Sequence, residues 1–539
     1  VVLHEIGHGL GLVGTGDVDA LGRASIGDTS INGNTGVRSG VSFDQFAYAT
    51  TAQQAGNGGV RVLSLRDGTP ELKTAITGGR LYWAGQLART AAGGAKVRLY
   101  APSPFEAGSS FGHVDETVYP RGTDDSLMSP ILDAGETYSD PGQIAMGLLA
   151  DIGYAVPALT GARFTAVDPV RLLDTRDGAV RTVAAGGVRD LQIAGVAGVP
   201  ANATAVVLNV TGVSPSATTD IRVYPTPVTA TAVPGVSNLN LVRGVTRANL
   251  VTVPLGNNGR VRLRNAAGSV SLLADLAGFY APKAASSFTP VDPVRVLDTR
   301  EAVGTPTKTR VPAGGRVDLQ VTGRGGVPAG ATAVAMTVTA VNATAGTDIR
   351  VYPTIADTAT VPLVSNINVR VGPGVPNVVI VKIGDGGKVR LRNSSGAVHL
   401  LADVAGYYDD AAGGSLFRPV APARILDTRS RLGQPAGSVT RVGPGQVIDL
   451  RVGGVSQVPS SAVAAVLNVT GLAASTSTDL RVYPSTAGAV PVVSNLNLGT
   501  GQTAADLVVV KLGGGKVRLR NAAGTVGLLG DVFGWFGPA

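Results

Sequence analysis

Cysteine is absent from all 539 residues, which excludes a disulfide framework and any thiolate nucleophile or metal ligand. Aromatic residues make up 4% and charged residues 15%, and there are only three methionines and four histidines. No stacking rings are interleaved with the basic residues, so no nucleic-acid partner is expected. No apolar run reaches the roughly 20 residues needed to cross a bilayer, so no membrane span is expected either.

What the chain has in quantity is glycine, 74 residues of it, within a composition that is 44% hydrophobic. Chains rich in Gly, Ala, Val and Thr and poor in charge form strands rather than helices. The length is too great for one core and predicts about four domains. Charge divides the chain. Val1 to Thr160 holds 10 basic and 16 acidic residues, net −6, while the remainder holds 35 and 21, net +14. The two parts therefore present different surfaces, and different partners are expected for them.

Chemistry concentrates in the first dozen residues. His4 and His8 are four apart, a spacing that puts both imidazoles on one face of a helix. Such a pair can hold zinc, and Glu5 between them can take a proton from a zinc-bound water. The plain alternative is a helix with two surface histidines. Two of the four histidines fall here, between apolar flanks, and Gly7, Gly9 and Gly11 each cost about 1 kcal/mol of helix propensity. Such a helix needs packing or a metal to hold it. His113 is the one other histidine before residue 160 and is assigned as third ligand, against the alternative of a loop histidine. Asp115 is the reserve ligand, and Asp17 and Asp19 are weaker candidates. Tyr119 and Tyr138 are the tyrosines considered as oxyanion donors. Met128 lies in the turn Asp124–Pro130, and its plain reading is a core-filling thioether. Val13–Gly40 reads as loops. Val97–Tyr100 reads as a strand, and Ile144–Tyr154 as a helix capped at Gly153.

The order His4-Glu5-x-x-His8-x-x-Gly11, then His113, then Leu127-Met128-Ser-Pro130, then Leu149-Ala-Asp-Ile-Gly-Tyr154, resembles the leishmanolysin-type metzincins. That resemblance implies His4, His8 and His113 as zinc ligands, Glu5 as general base, Met128 as the turn methionine, and endopeptidase action on a protein or peptide substrate. Metzincins normally place the third histidine three residues after the motif glycine. Here that position is Gly14, and an insertion of about a hundred residues intervenes. The family's cysteines are missing, and Leu12 stands where Phe is usual. The chain opens directly on its metal motif, so a supporting sheet and a signal peptide are expected upstream of Val1.

The remainder repeats. Arg171-Leu-Leu-Asp-Thr-Arg176 returns at Arg295 and Arg424, Thr219-Asp-Ile-Arg-Val-Tyr-Pro225 at Thr347 and Thr478, and Ser237-Asn-Leu-Asn240 at Ser365 and Ser494. Asp275 recurs at Asp403 and Asp531, 128 residues apart each time. Units of that length bury their own cores, so tandem domains are expected, with linkers near Ala281–Ser287 and Asp409–Ser415. Arg260, Arg262 and Arg264 alternate with Val261 and Leu263, as strand residues do, and the ladder recurs at Lys388 and Lys516. Such a ladder is either a docking face for an anionic cell-wall polymer or glycan, or a solvated face paired with carboxylates such as Asp174 and Asp220. His399 has no counterpart in the sister repeats and reads as structural. The repeats resemble a module found in tandem on exported proteins of high-GC Gram-positive bacteria, which implies an extracellular or wall-associated place.

The fold expected is multidomain. A partial α+β metzincin-like region over 1–158 precedes three all-β antiparallel sandwiches over 159–283, 284–411 and 412–539. The function expected is a secreted zinc endopeptidase carrying surface-association modules. The alternative is a non-catalytic extracellular binding or structural protein.

Overall fold

The computed structural model describes residues 2–27, 41–50, 59–92, 96–120, 124–131, 142–154, 161–177, 181–227, 233–435, 437–438 and 440–538. The chain forms two compact units, Val1–Thr160 and Gly161–Ala539.

The first unit starts with α1 (Val2–Gly9) and the paired strands β1 (Gly16–Val18) and β2 (Ala24–Ile26). These two strands lie within the stretch expected to be loop, of which residues 28–40 fall outside the described residues. Next come β3 (Ala47–Ala49), β4 (Val60–Arg61), α2 (Pro70–Thr77), β5 (Leu81–Trp83), α3 (Gln86–Ala91), β6 (Val97–Leu99) and α4 (Gly142–Asp151). The strands β4-β3-β5-β6 form an antiparallel sheet. Trp83 anchors its core, with ring centroids 4.5 Å from Phe43 and 4.9 Å from Phe46. Thr69 caps α2 by accepting from the Leu72 amide, with Pro70 preset in the first turn. Asp151 ties the helices together. Its carboxylate accepts from the Trp83 indole at 2.8 Å and from the amides of Leu87 and Ala88, at the N-terminus of α3. After α4, Gly153 is left-handed and the Tyr154 amide reaches the Leu149 carbonyl, a Schellman ending.

In the second unit each repeat has eight strands. In the first repeat these are β7 (Arg163–Asp174), β8 (Val188–Gln192), β9 (Ala205–Val213), β10 (Thr219–Pro225), β11 (Leu239–Leu241), β12 (Arg247–Pro254), β13 (Arg260–Asn265) and β14 (Ser271–Ala281). One antiparallel sheet runs β12-β9-β14-β7 and the other β11-β10-β13-β8. Strands 1, 8, 3, 6 in one sheet facing 2, 7, 4, 5 in the other is the jelly-roll order. The second repeat (Ser287–Asp298 to His399–Asp409) and the third (Leu416–Asp427 to Gly527–Gly537) have the same pairing. The repeated motifs hold this frame. Arg171, Arg295 and Arg424 each fork onto the buried Asp275, Asp403 and Asp531. Asn238, Asn366 and Asn495 accept from the amides of Val223, Val351 and Val482 at 2.7 Å.

The repeats are not beads on linkers. Strand β9 is buried along both faces. Val206, Leu208 and Val210 enter the repeat's own core, while Ala205 and Val207 enter a further core drawn from all three repeats. Six rings meet there in a cycle. Phe164 lies 4.3 Å from Tyr408, Phe288 4.3 Å from Phe536, and Phe417 4.2 Å from Tyr280. The Tyr280 and Tyr408 hydroxyls share a hydrogen bond of 2.6 Å. The backbone closes the same cycle through the bridges Phe164–Ser286, Phe288–Ser415 and Phe417–Ala162. The expected linkers are therefore part of the packed body, with Ser286 and Ser287 buried. Farther along the junctions, Asn377 accepts from the Leu250 amide and Asn249 from the Leu507 amide, each at 3.1 Å. In the third repeat Asp506 takes the equivalent place and accepts from Arg247 at 2.8 Å. Burial outweighs that guanidinium and pushes the Asp506 carboxyl up to about 6.

The expected fold class is corrected here. The first unit contains helices of only 8, 8, 6 and 10 residues beside its sheet, and the molecule as a whole is all-β. No α+β metzincin region is formed among the described residues. The cause is compositional, since Gly, Val and Thr favour strands and turns over sustained helix.

Phe417→Ala removes one ring of the cycle and is expected to cost about 3–5 kcal/mol. Chemical denaturation should show one cooperative transition for the β-unit shifting as a whole, and separate melting of the third repeat would contradict the shared core. Asp506→Asn leaves Arg247 buried without its counter-charge and should destabilise by about 3–5 kcal/mol near pH 7.5. The double variant Arg247→Val/Asp506→Asn copies the Val375 and Asn377 of the second repeat, and its melting temperature should return to that of the wild type or exceed it.

Candidate metal centre

Helix α1 puts His4 and His8 one turn apart on a single face, with ring centroids separated by 4.7 Å. His113 arrives from the loop after β6. The Tyr100 amide donates to the His113 carbonyl, the Phe111 amide to the Tyr100 carbonyl, and the Val114 amide to the Met128 carbonyl. These bonds lock the loop against the sheet. Phe111, itself left-handed, presses its ring onto Gly14 and Gly16, where a Cβ would lie 2.2 and 2.7 Å from ring atoms. Gly14 is thus a packing glycine, and its space is filled by that ring. Under the helix, a Cβ on Gly7 would meet the Met128 sulfur at 2.6 Å, so α1 lies directly on this buried thioether.

The three imidazoles converge. Their Nε2 atoms lie 3.1 Å (His4–His8), 3.1 Å (His8–His113) and 3.4 Å (His4–His113) apart. Each Nδ1 faces a backbone carbonyl: Leu127 at 2.6 Å for His4, Leu12 at 2.8 Å for His8 and Ser109 at 2.8 Å for His113. A carbonyl only accepts, so each Nδ1 carries the proton and donates it. All three Nε2 atoms then present lone pairs to one another and cannot satisfy each other by hydrogen bonds. Such a cluster is relieved by a cation. Tetrahedral ligands at Zn–N distances of about 2.0–2.1 Å stand about 3.3 Å apart, which matches the observed spacing. Carbonyl-oriented Nδ1–H groups are also the usual outer support of metal-bound histidines. Burial first, and then the neighbouring His8 charge, pull the His113 pKa down to about 4, which leaves its imidazole neutral. His4, His8 and His113 form the one group of three or more such side chains placed to hold a metal among the described residues. The donor set fits a borderline cation such as zinc and leaves a fourth position for a small ligand. When bound, such an ion would supply positive charge and would cross-link α1 to the His113 loop.

The other candidates lie elsewhere. Asp115 stands outside the group formed by the three histidines. It forms an ion pair with Arg98 at 2.9 Å and accepts from the Thr117 amide and hydroxyl. Asp19 pairs with Arg23 at 2.7 Å. Tyr119 packs against the core, where burial pushes its hydroxyl up to about 12, and Tyr138 lies outside the described residues. Glu5 is exposed on α1. His399 bonds to the Thr299 hydroxyl at 2.9 Å. The middle arginine of each ladder is paired, though not with Asp174 or Asp220. Arg262, Arg390 and Arg518 pair with Asp190, Asp318 and Asp449 on the adjacent strand of the same sheet. The orienting carbonyls of Leu12, Ser109 and Leu127 had no sequence signal, because a backbone acceptor can belong to any residue type.

No family model matches this chain. No curated protein matches it either. Among solved structures, it is similar at 10% identity to a chain of the atomic structure of Sulfolobus Turreted Icosahedral Virus, covering 69% of this chain and 91% of that one with a TM-score of 0.15. A second, from the triple jelly roll fold and turret assembly of an archaeal virus, has 9% identity, covers 69% and 90%, and again has a TM-score of 0.15. Likenesses that loose carry no argument, and the jelly-roll order stands on the strand pairing alone.

The leishmanolysin-type resemblance, the exported-repeat resemblance and the zinc-endopeptidase function are corrected on the strand-rich architecture and on the absence of any matching family model. The motif His4-Glu5-x-x-His8 fixes a spacing on two turns of helix. The short helices and small antiparallel sheets of the unit that carries it are not the fold that the resemblance implied.

The full chain is expected to bind one zinc ion, measured by elemental analysis after dialysis. His113→Ala should weaken zinc by more than the roughly 10–100-fold that losing an outer-shell partner costs. Asp115→Asn should keep the stoichiometry while lowering the melting temperature.

Proposed function

We propose that this chain is a non-catalytic extracellular binding or structural protein. Its β-unit is the working body, and zinc held by His4, His8 and His113 stabilises the N-terminal unit. One observation carries the reading. The three jelly rolls close on a common aromatic core, so most of the chain is a single preorganised scaffold with repeated surfaces. A site repeated by the sequence is presented in fixed geometry by such a body, which suits binding or assembly. The pairing of Arg262, Arg390 and Arg518 neutralises the central cation of each ladder and so weakens it as a dock for an anionic polymer. No helix among the described residues is long and apolar enough to cross a membrane.

The test is a cleavage assay on unfolded protein substrates with zinc-loaded full chain and Glu5→Ala. Equal background in both supports the proposal. Zinc-dependent cleavage that Glu5→Ala abolishes would overturn it. Fractionation of producing cells tests the extracellular placement, and retention inside the cell would count against it.

A further inference from the structure

The repeated motifs Arg-x-Leu-Asp-Thr-Arg and Thr-Asp-x-Arg lie near the start and near the middle of each linear repeat, and the closed ring brings one repeat's first motif to the next repeat's second. Between repeats 1 and 2 this makes a cleft of about 480 Å³, lined by Arg171, Arg176, Asp348, Arg350 and Leu363 among others. Between repeats 2 and 3 the equivalent cleft is about 410 Å³, lined by Arg295, Arg300, Asp479, Arg481 and Val492. Both volumes fall in the range of about 300–1,000 Å³ of small-ligand sites.

The chemistry of the two clefts is the same. Every guanidinium is already neutralised within its own repeat: Arg171 by Asp275, Arg176 by Asp174 and Arg350 by Asp348. Arg295 pairs likewise with Asp403, Arg300 with Asp298 and Arg481 with Asp479. An anion would find no uncompensated charge here. Fixed hydrogen-bonding edges are what remain. Arg350 spends Nε on Asp348 and Nη1 on the Pro362 carbonyl, and Arg481 does the same with Asp479 and Pro491. In each cleft this leaves one guanidinium nitrogen as donor beside one carboxylate oxygen as acceptor, a pair that a hydroxyl, itself donor and acceptor, satisfies. Thr211, 1% exposed and lining the first cleft, has a hydroxyl with no hydrogen-bond partner. Beside this polar edge stands an apolar side chain held out in water, Leu363 at 74% exposure in one cleft and Val492 at 70% in the other. The third junction carries the same ion pairs, Arg424–Asp531, Arg429–Asp427 and Arg222–Asp220. It has Gly235 where the other two carry Leu363 and Val492.

We propose that the clefts between repeats 1 and 2 and between repeats 2 and 3 each bind one neutral sugar ring, hydroxyls against the Arg–Asp pair and the apolar ring face against Leu363 or Val492. This deepens the binding reading above and rests on it. Two equivalent sites on one rigid body would also raise the avidity for a polymer of such units.

Saturation-transfer NMR and calorimetry on the full chain test it, with methyl glycosides of glucose, galactose, mannose and N-acetylglucosamine as probes, and phosphate and galacturonate as anionic ones. At least one neutral glycoside should bind, at two per chain. Asp348→Asn/Asp479→Asn should weaken it at least tenfold, as should Leu363→Ala/Val492→Ala, whose exposed positions leave folding intact. Binding by none of the neutral probes, binding of the anions alone, or unchanged affinity in both variants overturns the proposal. These outcomes are independent of the cleavage assay, so a catalytic chain with empty clefts and a non-catalytic chain with empty clefts are told apart.

Discussion

Six aromatic rings, two from each repeat, meet in a closed cycle, and the form of the β-unit follows from that contact. A jelly roll that buried only one face of each sheet would be complete alone. Here the outer face of the sheet containing β9 and β14 is apolar as well, and it is covered by the neighbouring repeats. The hydrophobic effect is non-directional, so the rings supply the cohesion. Direction comes from Asn249, Asn377 and Asp506, whose side chains reach across to neighbouring repeats. Polar groups buried at such junctions are costly when unpaired, and they therefore fix the alignment of one repeat against the next.

The same ring closure explains what the repetition within the chain does. Each Arg-x-Leu-Asp-Thr-Arg motif is first an internal brace. The first arginine forks onto the aspartate of the last strand, and the threonine hydroxyl accepts from an amide of that strand, Leu272 in the first repeat. Only after assembly does the exposed edge of that brace face the Thr-Asp-x-Arg motif of another repeat. A structural motif has become one wall of a cleft without any change of residue.

In the N-terminal unit the governing constraint is orientation. Three carbonyls fix the protons of three imidazoles on the outer nitrogens, and the inner nitrogens are left with lone pairs facing each other. Helical spacing supplies two of these rings. The third depends on Phe111 filling the space over Gly14 and on Met128 supporting the underside of the helix.

Much of this was legible in the chain itself. Alternation in Arg260–Asn265 specified a strand with Val261 and Leu263 inward, and the 128-residue period specified three equivalent units. His4 and His8 were readable because a helix fixes the distance between residues four apart. The metzincin fold implied by that motif with His113, Met128 and Leu149–Tyr154 was not correct, since a four-residue spacing constrains about one turn of backbone and short motifs leave the chain between them unspecified. Three things were decided by tertiary structure alone. They are the three carbonyls that orient His4, His8 and His113, the choice of Asp190 rather than Asp220 as partner of Arg262, and the folding of the supposed linkers into a closed ring. Each includes contacts between residues far apart in the chain. Local sequence sets periodicity and turn chemistry, whereas which buried faces meet is settled only when all the apolar surface is covered at once.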